Sequence, residues 1–361
     1  MSFFSKKIID FEPKIFGIDL SDLSVKVVQL KKDGHNAEVR SFSFMNIPPG
    51  YIEDGKIIDK DKVAGIIKEA VKQAGPKKIK TKKVICSLPE SKAFLRIVST
   101  PKMEDQEINE AIKWEMEANI PLPMDQVYFD WQLLDTESKN KQNILTVAVA
   151  KEIVDDEMEV LKKAGLDVYG LEVESIASAR SLINEKETQK DSTSLIVDLG
   201  SKRTSFIMVV GGVPFFTSSI PFSSVSVNDA IAKSLNLTPK EAEEIKINYG
   251  IESFNSDNPI FNATKFLLEN LVQEIGKNLD FYFSLAKESP RIEKIILCGG
   301  GANLKGIVTY LVKRLNMQVE IGDPWTNLTL GKKIPIISRE NSASYSTAIG
   351  LALRGLHFYD Y

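Results

Sequence analysis

The chain has 361 residues, 43% of them hydrophobic and 26% charged, and its 46 basic and 49 acidic side chains leave a formal charge of −3. This composition excludes a disordered or collagen-like chain, and the length is enough for two or three domains of about 100–200 residues each. Two cysteines and two histidines are too few for a disulfide framework or a Cys/His zinc site to organise the fold.

Neither a membrane-spanning segment nor a secretory signal is predicted. No stretch reaches the roughly 18–20 consecutive apolar residues that a bilayer span needs, and residues 1–10 lack the apolar core of a signal peptide. The near-neutral charge argues against nucleic acid as the main partner. We therefore expect a cytoplasmic protein.

The chain is predicted to begin with three strands and a helix. Residues 14–20, 24–31 and 37–47 are rich in β-branched and aromatic side chains and are separated by short polar turns. Apolar side chains then recur at helical spacing over residues 61–73, and a glycine and a proline end that pattern.

Residues 84–165 are predicted to form a compact unit with the order β–β–α–β–β–α. Its first two strands are expected to pair with each other. The predicted elements are strands at 84–88 and 94–99, a helix at 105–119, strands at 127–134 and 144–150, and a helix at 151–164.

The pattern of the first three strands returns in the second half of the chain. Strands are predicted at 194–199, 204–210 and 213–220, again with tight turns. Asp19 and Asp198 take the same place in the two copies, at the end of a strand and before a turn, 179 residues apart. This duplication predicts two similar lobes with a ligand-binding cleft between them.

The remaining chain is predicted to be mainly helical. The predicted elements are helices at 227–235, 239–249, 265–285, 304–315 and 342–356, and strands at 292–297 and 318–321. Gly299, Gly300 and Gly301 follow the first of these strands. A strand–glycine–helix order can bring backbone N–H groups to a phosphate or an adenosine, or it can simply be a helix-entry turn.

Asp19 and Asp198 are the strongest candidate site residues. Ligands bind at the carboxyl ends of strands in open sheets, and two carboxylates that face each other across a cleft suit a hydrated Mg²⁺ with phosphate oxygens. The alternative is that both side chains only cap their turns.

Two segments could meet a charged or apolar partner. The five lysines of residues 77–83 could contact acidic lipid or nucleic acid, but we favour a solvated linker because no aromatic residue lies among them. Residues 3–9 combine four apolar side chains with Lys6 and Lys7. This pattern is compatible with a weak membrane or partner contact, but we favour a frayed terminus.

Six stretches, in their order along the chain, resemble the actin-like ATPase superfamily, which includes actin, sugar kinases, heat-shock chaperone ATPases and FtsA. They are most similar to the PilM family of type IV pilus assembly, and together they span nearly the whole chain. The stretches are GIDLSDLSVKVVQL (17–30), LRIVSTPKMEDQEINEAIKWEMEANIPLP (95–123), IVDLGSKRTSFIMV (196–209), PKEAEEIKINYG (239–250), ILCGGGANLKG (296–306) and STAIGLALRGL (346–356).

The resemblance implies an α/β fold of the actin-like (ribonuclease-H-like) class, with two lobes, duplicated βββαβα cores and an inserted small subdomain. The implied domains are a first lobe of residues 14–83, 166–193 and 342–361, an FtsA/PilM-type insertion at 84–165, and a second lobe at 194–341 with a helical subdomain at about 236–290.

The resemblance also implies that ATP and Mg²⁺ bind in the cleft. The implied ligand-binding residues are Asp19, Ser21 and Ser24 in a first phosphate loop, Asp198, Gly200, Lys202 and Thr204 in a second, Glu243 and Lys246 at the ribose and adenine, and Gly300, Gly301 and Asn303 in an adenosine loop. The metal would be held by Asp19 and Asp198. By spacing alone, Glu243 and Lys246 would suggest only a surface ion pair.

The first phosphate loop departs from the family pattern at one position. Relatives carry a glycine where Ser21 stands, so a positive φ there would strain the serine. Asp22 adds a negative charge beside the expected polyphosphate. We therefore expect weak ATP binding, and hydrolysis that is weak or absent.

A resemblance to PilM implies a partner and a location. PilM-like proteins bind the cytoplasmic N-terminal peptide of the inner-membrane protein PilN, which would attach this chain peripherally to the cytoplasmic face of the inner membrane, among the other proteins of the type IV pilus assembly platform. The alternatives are an FtsA-like, filament-forming, membrane-associated ATPase and an actin-fold ATPase or kinase. The FtsA-like alternative predicts an amphipathic helix after a linker, and no such segment is found in the sequence up to Tyr361. The ATPase or kinase alternative needs a general base, and none is evident beyond the two aspartates. We therefore expect an ATP-binding scaffold.

Overall fold

Two mixed β-sheets and the helices that cover them account for most of the chain. The computed structural model describes residues 14–33, 36–120, 122–134, 140–184, 192–252, 257–285, 291–328, 337 and 339–357. Residues 1–13, which include the amphipathic segment noted above, lie outside this part.

The strands are β1 (Phe16–Ser21), β2 (Ser24–Asp33), β3 (Asn36–Asn46), β4 (Ile52–Glu53), β5 (Lys56–Ile57), β6 (Gly75–Pro76), β7 (Lys83–Leu88), β8 (Ala93–Pro101), β9 (Val127–Leu134), β10 (Lys141–Ala150), β11 (Asp167–Val173), β12 (Thr193–Leu199), β13 (Thr204–Val210), β14 (Val213–Ile220), β15 (Ile292–Cys298) and β16 (Val319–Ile321). The helices are α1 (Lys60–Gln73), α2 (Asp105–Asn119), α3 (Lys151–Lys163), α4 (Glu174–Leu182), α5 (Ser224–Leu235), α6 (Pro239–Tyr249), α7 (Pro259–Leu285), α8 (Ile307–Leu315), α9 (Arg339–Ser342) and α10 (Ser346–His357).

The first sheet has the order β11-β7-β1-β2-β3-β6. A tight turn at Asp22 and Leu23 folds β1 back onto β2, and β3 continues the antiparallel meander. On the other side of β1, strand β7 runs parallel to it, and β11 runs parallel to β7. Parallel pairs need crossover connections, and helices and the inserted segment supply them here.

The second sheet repeats this plan. Strands β12, β13 and β14 form the antiparallel meander, β15 runs parallel to β12, and β16 runs parallel to β15. The predicted duplication is therefore confirmed strand by strand. Asp19 and Asp198 lie at equivalent positions near the carboxyl ends of the two central strands.

The inserted segment extends the second sheet instead of forming a sheet of its own. Strand β8 pairs along its length with β10, which pairs with β9, and β8 reaches β14 through the pair Phe216 and Arg96. Helix α2 covers this extension with Ile108, Ile112 and Met116, all buried. The apolar stripe predicted on that helix is thus part of the core.

The predicted pairing of 84–88 with 94–99 is wrong. Strand β7 is hydrogen-bonded to β1 and β11 in the first sheet, whereas β8 belongs to the second. Helix α3 also packs on the first sheet's core, where Val160 and Leu161 meet Val63 and Ile67 of α1. The domain limits at 84 and 165 stay predictions, but both ends of that segment pack with the first sheet.

Helices α4 and α10 lie between the two sheets and pack against each other closely. The small residues on α10 permit this approach, because a Cβ at Gly350 would overlap the backbone carbonyl of Ala177. A Cβ at Gly17 would come 2.6 Å from the carbonyl oxygen of Ala348, so β1 also lies directly on α10. None of the helices in the described ranges combines the length and hydrophobicity that a membrane span requires.

Candidate functional site

A cavity of about 760 Å³ opens between the carboxyl ends of β1 and β12. This volume is within the range of small-molecule and cofactor sites. It brings together all but one of the residues predicted from the sequence. The predicted residues that line it are Asp19, Ser21, Ser24, Asp198, Gly200, Lys202, Glu243, Lys246, Gly300, Gly301 and Asn303.

Thr204 is the predicted site residue that does not line the cavity. Its side chain is fully buried, and its hydroxyl donates to the backbone carbonyl of Phe222 at 3.0 Å. Thr204 therefore holds the chain before α5 in place and offers no free group to a ligand.

Asp19 forms an ion pair with Lys26 inside the cleft. Nζ of Lys26 lies 2.8 Å from Oδ2 of Asp19, and both side chains are largely buried. The two residues face each other across the β1–β2 hairpin. Burial lowers the pKa of Lys26, but the charge and hydrogen bond of Asp19, together with the charges of Asp198 and Glu174, outweigh that effect and leave the pKa above its usual value. The lysine therefore stays charged.

Asp198 faces this ion pair from the second lobe. Burial and, next, the negative charge of Asp19 raise the pKa of the Asp198 carboxyl to about 6, although the ammonium of Lys26 opposes both effects. At the position in β13 that corresponds to Lys26, the partner of Asp198 is Ser205, which has no charge. The cleft thus carries more acidic than basic charge at its centre, which favours a cation.

Two further acids lie at the start of α4 beside the aspartates. The backbone N–H of Glu90 donates to Oε2 of Glu174 at 3.1 Å, and the N–H of Ser175 donates to Oε2 of Glu90 at 3.2 Å. Burial is the main cause that raises the pKa of Glu174 well above its usual value, and the negative charge of Asp19 adds to this shift. Burial also raises the pKa of Glu90, although hydrogen bonds from Ser175 and Thr217 oppose the shift.

The turn after Asp19 is relaxed despite its serine. Among the described residues other than glycine, a positive φ occurs only at Asp54, Asn236 and Asn316, so the strain expected at Ser21 is not found. The hydroxyl groups of Ser21 and Ser24 lie 2.9 Å apart.

The Asp22 carboxylate is already engaged by the protein. It accepts hydrogen bonds from the N–H groups of Asp54 and Gly55, at 3.2 and 2.9 Å, in the β4–β5 hairpin. Burial raises the pKa of Asp22, while these two hydrogen bonds lower it. Asp22 therefore connects the turn to the hairpin instead of pointing a free charge at a ligand.

The turn after Asp198 closes on itself at Gly200. The N–H of Gly200 donates to the carbonyl of Arg203 at 2.9 Å, and a Cβ on Gly200 would lie 2.7 Å from that oxygen. A glycine is therefore required for this tight turn. Lys202 lies in the turn and lines the cavity.

An ion-pair cluster connects the two lobes at the mouth of the cleft. Asp54 of the β4–β5 hairpin contacts Nζ of Lys92 at 2.7 Å and Nη1 of Arg203 at 3.3 Å. Arg203 also donates to the hydroxyl of Ser219 at 3.1 Å. The two lobes are therefore in contact above the cavity as well as at its base.

The far side of the cavity is formed by α6 and the glycine loop. Nζ of Lys246 donates to the hydroxyl of Ser224 at 2.6 Å, and burial lowers the pKa of Lys246 while Glu243 raises it. Gly299 has a φ of +77°, and a Cβ there would overlap the Asp198 carboxylate. The glycine loop thus passes directly over the acidic centre.

Comparison with known proteins identifies the family. A model of the type IV pilus assembly protein PilM matches residues 17–356.

The chain belongs to the PilM family.

A solved PilM-PilN type IV pilus biogenesis complex superposes with a TM-score of 0.83 at 28% identity, covering 96% of this chain and 99% of the other. The cell division protein FtsA of Streptococcus pneumoniae is 23% identical, over 94% of this chain and 82% of its own length. MreB5 of Spiroplasma citri bound to ADP superposes with a TM-score of 0.53 at 14% identity, covering 95% of this chain and 96% of that chain. The predicted actin-like two-lobe fold is confirmed.

The acidic centre of this PilM-family protein fits Mg²⁺ only together with a ligand. Mg²⁺ is usually held by one or two carboxylates, substrate phosphates and retained water. Asp19 and Asp198 provide two carboxylates, and the like charge between them would be relieved by a cation. Within the described ranges, no group of three or more His, Cys, Asp or Glu side chains is arranged to hold a metal by itself.

Three residues of the site were missed by the sequence analysis. The register of the short β1–β2 hairpin pairs Asp19 with Lys26, so the lysine could have been found from the turn length alone. Glu90 and Glu174 could not have been found from the sequence, because they are 84 residues apart and are brought together only by the fold.

Glu157 of α3 is a buried acid at the edge of this cavity. Its side chain is 3% exposed, and within the described part of the chain no donor reaches its Oε2. Burial raises the pKa of its carboxyl to about 8, and the nearby charge of Asp156 contributes to the shift. At neutral pH the group is therefore mostly protonated.

We predict that Glu157→Gln removes a pH dependence of stability. A carboxyl with a raised pKa in the folded state stabilises the fold at low pH and loses that contribution as the pH rises through about 8. Between pH 7 and 9 the wild type should lose about 1 kcal/mol relative to the variant, measured by urea unfolding. If the free energies of unfolding of the two proteins changed equally with pH, the prediction would be contradicted.

Proposed function

We propose that this protein binds an adenine nucleotide with Mg²⁺ in the cleft and holds the cytoplasmic N-terminal peptide of a PilN-type membrane protein, as a component of type IV pilus assembly. The observation that carries the nucleotide part is the pair of equivalent aspartates that line one cavity beside a buried lysine. The similarity to the PilM chain of a PilM-PilN complex supports the partner.

The phosphates would occupy the space between the two turns. Lys26, Lys202 and the hydroxyl groups of Ser21 and Ser24 line it and can bind anionic oxygens. Asp19 and Asp198 would hold the metal, whose role is to neutralise the phosphates and join them to both lobes. Because Asp22 is held by the hairpin, it adds little repulsion.

The nucleoside would lie toward α6. Lys246 and Glu243 line that end of the cavity, and Gly300, Gly301 and Asn303 form the opposite wall. Lys246 is buried and already hydrogen-bonded to Ser224, which fixes its position before a ligand arrives. This arrangement suits a ribose, whose hydroxyl groups can both donate and accept hydrogen bonds.

We propose that the nucleotide acts mainly as a regulatory ligand. A hydrolase would need a base near the terminal phosphate. Burial raises the pKa of Glu174 and of Glu90 and so favours their protonated forms, in which a carboxyl cannot act as a base. A ligand that contacts both lobes can instead favour a closed state and change the affinity for a partner.

The partner would place this protein at the cytoplasmic face of the inner membrane. A PilN-type protein would supply that attachment through its peptide. Self-association, as in FtsA-like relatives, is a second candidate. It has weaker support, because the FtsA sequence is 23% identical whereas the PilM chain is 28% identical.

We predict that Asp198→Asn weakens binding of Mg²⁺ with a non-hydrolysable ATP analogue by about 10- to 100-fold, the effect expected for one lost charged contact. Isothermal titration calorimetry measures this directly. The change keeps the side-chain shape and removes a buried charge, so thermal stability should not fall. Asp280→Asn, on the exposed surface of α7, is the control. Equal affinities for wild type and Asp198→Asn would refute the metal assignment.

Lys246→Ala should weaken ATP binding by about tenfold and leave pyrophosphate binding unchanged, since the lysine would contact only the nucleoside. Lys240→Ala, an exposed position on the same helix, should change neither. Competition titrations with both ligands give the comparison. Equal losses for ATP and pyrophosphate would rule out a ribose–adenine contact.

The partner is tested with a labelled peptide of the N-terminal cytoplasmic sequence of a PilN-type protein from the same genome. We predict saturable binding by fluorescence anisotropy, with an affinity that changes when Mg²⁺ and the ATP analogue are added. Linkage requires that the peptide change nucleotide affinity by the same factor. Absence of peptide binding contradicts the partner, and binding that is independent of the nucleotide contradicts only the regulatory role.

A further inference from the structure

The β4–β5 hairpin is anchored in the first lobe, and its tip contacts the second. Ile52 and Ile57 pair with each other and are buried in the core of the first lobe. Asp54 and Gly55 form the two-residue turn at the tip, with φ values of +49° and +75°. A hairpin turn with a positive φ at both residues favours the sequence Asp-Gly. The local sequence therefore places a carboxylate at the tip of an anchored hairpin.

The tip of the hairpin is bound to the first of two turns in the cleft. We call the turns that follow the two site aspartates, residues 21–24 and 200–203, the cleft turns. The backbone N–H groups of Asp54 and Gly55 donate to the Asp22 carboxylate in the first cleft turn, at 3.2 and 2.9 Å. Hydrogen bonds from neutral N–H groups to a charged carboxylate are among the stronger ones in proteins. The hairpin and the first cleft turn are therefore joined.

The side chain of Asp54 continues this connection to the second cleft turn. Its Oδ1 lies 3.3 Å from Nη1 of Arg203, and the carbonyl of Arg203 accepts the N–H of Gly200 within the same turn. The contacts thus run from Asp22 through Asp54 to Arg203. The hairpin links the two turns between which we place the phosphates.

The hairpin also contacts the segment that crosses from the first sheet to the second. This segment, residues 89–92, joins β7 to β8. Oδ2 of Asp54 lies 2.7 Å from Nζ of Lys92. A Cβ on Gly55 would come within 2.8 Å of Cβ of Pro89, so the tip lies directly against this segment. The hairpin therefore spans the mouth of the cavity from one lobe to the other.

The contacts of Asp54 are of a kind that breaks and re-forms easily. Its side chain is 55% exposed, and those of Lys92 and Arg203 are 30% and 35% exposed. Ion pairs at this exposure contribute little stability each, because water screens them. The core anchor and the tip thus differ in strength, which suits a segment that opens at the tip.

We propose that the β4–β5 hairpin is a strap that holds the two cleft turns together in the free protein and releases when a phosphate-containing ligand enters or leaves. The inference rests on the proposed nucleotide binding and adds a control of its rate. Opening and closing of such segments sets the rate of ligand exchange in many proteins. The strap is closed both before and after binding and is open only in between.

This sequence of states predicts a specific kinetic effect. Weakening the strap destabilises the free protein and the complex equally, but it leaves the open state unchanged. Association and dissociation should therefore become faster by the same factor, while the affinity stays constant. If the hairpin only positioned ligand-binding groups, its loss would instead reduce the affinity.

The first test is stopped-flow binding of a fluorescent, non-hydrolysable ATP analogue with Mg²⁺. Asp54→Asn keeps the shape of the side chain and tolerates a positive φ, but it removes the charge that both ion pairs share. We expect both rates to rise about three- to tenfold. Lys92→Glu, which places a like charge beside Asp54, should act in the same direction. Neither Asp54 nor Lys92 lines the cavity, so both variants leave the binding groups intact.

The matched control is Asp61→Asn. This aspartate of α1 is also exposed and also paired with a lysine, Lys163 of α3, at 2.7 Å, but the pair does not involve a cleft turn. Both rates should equal those of the wild type.

The second test needs no ligand. Rapid-mixing hydrogen–deuterium exchange measures how often the N–H groups of Asp54 and Gly55 leave the Asp22 carboxylate. In Lys92→Glu, which leaves the sequence of the hairpin unchanged, these N–H groups should exchange several-fold faster than in the wild type. The N–H groups of β12, inside the second sheet, should exchange at the same rate in both proteins.

Two results would overturn the strap. One is unchanged exchange at the hairpin in Lys92→Glu. The other is a protein that binds the nucleotide but whose Asp54→Asn variant shows unchanged rates or only a lower affinity. If the wild type bound neither the nucleotide nor pyrophosphate, the proposed function and the control of ligand exchange would both fail. The exchange measurement would then still decide whether the hairpin holds the two turns together.

Discussion

The ion pair between Asp19 and Lys26 sets the electrostatics of the cleft. The negative charge of Asp19 raises the pKa of both Asp198 and Glu174, and Lys26, 2.8 Å from Asp19, offsets part of this negative charge. The remaining acidity disfavours an empty site and favours a bound cation. Because one carboxylate belongs to each lobe, a cation with its anionic ligand would stabilise the two lobes in contact, as the Asp54 cluster already does at the mouth.

The topology explains why this charge arrangement occurs. Each lobe places its aspartate at the end of a central strand, and the two sheets bring those ends to one cavity. The insertion is attached to the second sheet through β8 and β14, while β7 and α3 at its ends belong with the first. A movement of one lobe relative to the other would therefore be transmitted to the insertion.

Local patterns in the sequence predicted most of this architecture, but they did not predict strand pairing between segments far apart in the chain. The 179-residue repeat around Asp19 and Asp198 predicted both meanders, because antiparallel strands joined by tight turns depend on neighbouring residues. Strand β7 was assigned to the wrong partner, since adjacency along the chain does not show that it crosses to β1. Thr204 was assigned to the site from the family motif, but its side chain points into the core. Glu90 and Glu174 were missed because only the folded chain brings them together.

The central claim is that Asp19 and Asp198 share one metal–polyphosphate ligand. The most direct measurement is a crystal structure with Mn²⁺ and a non-hydrolysable ATP analogue, in which anomalous scattering locates the metal. We predict an anomalous peak between the two carboxylates, with phosphate oxygens completing the coordination. A metal-bound nucleotide located elsewhere, or an empty cleft at saturating ligand, would contradict the account.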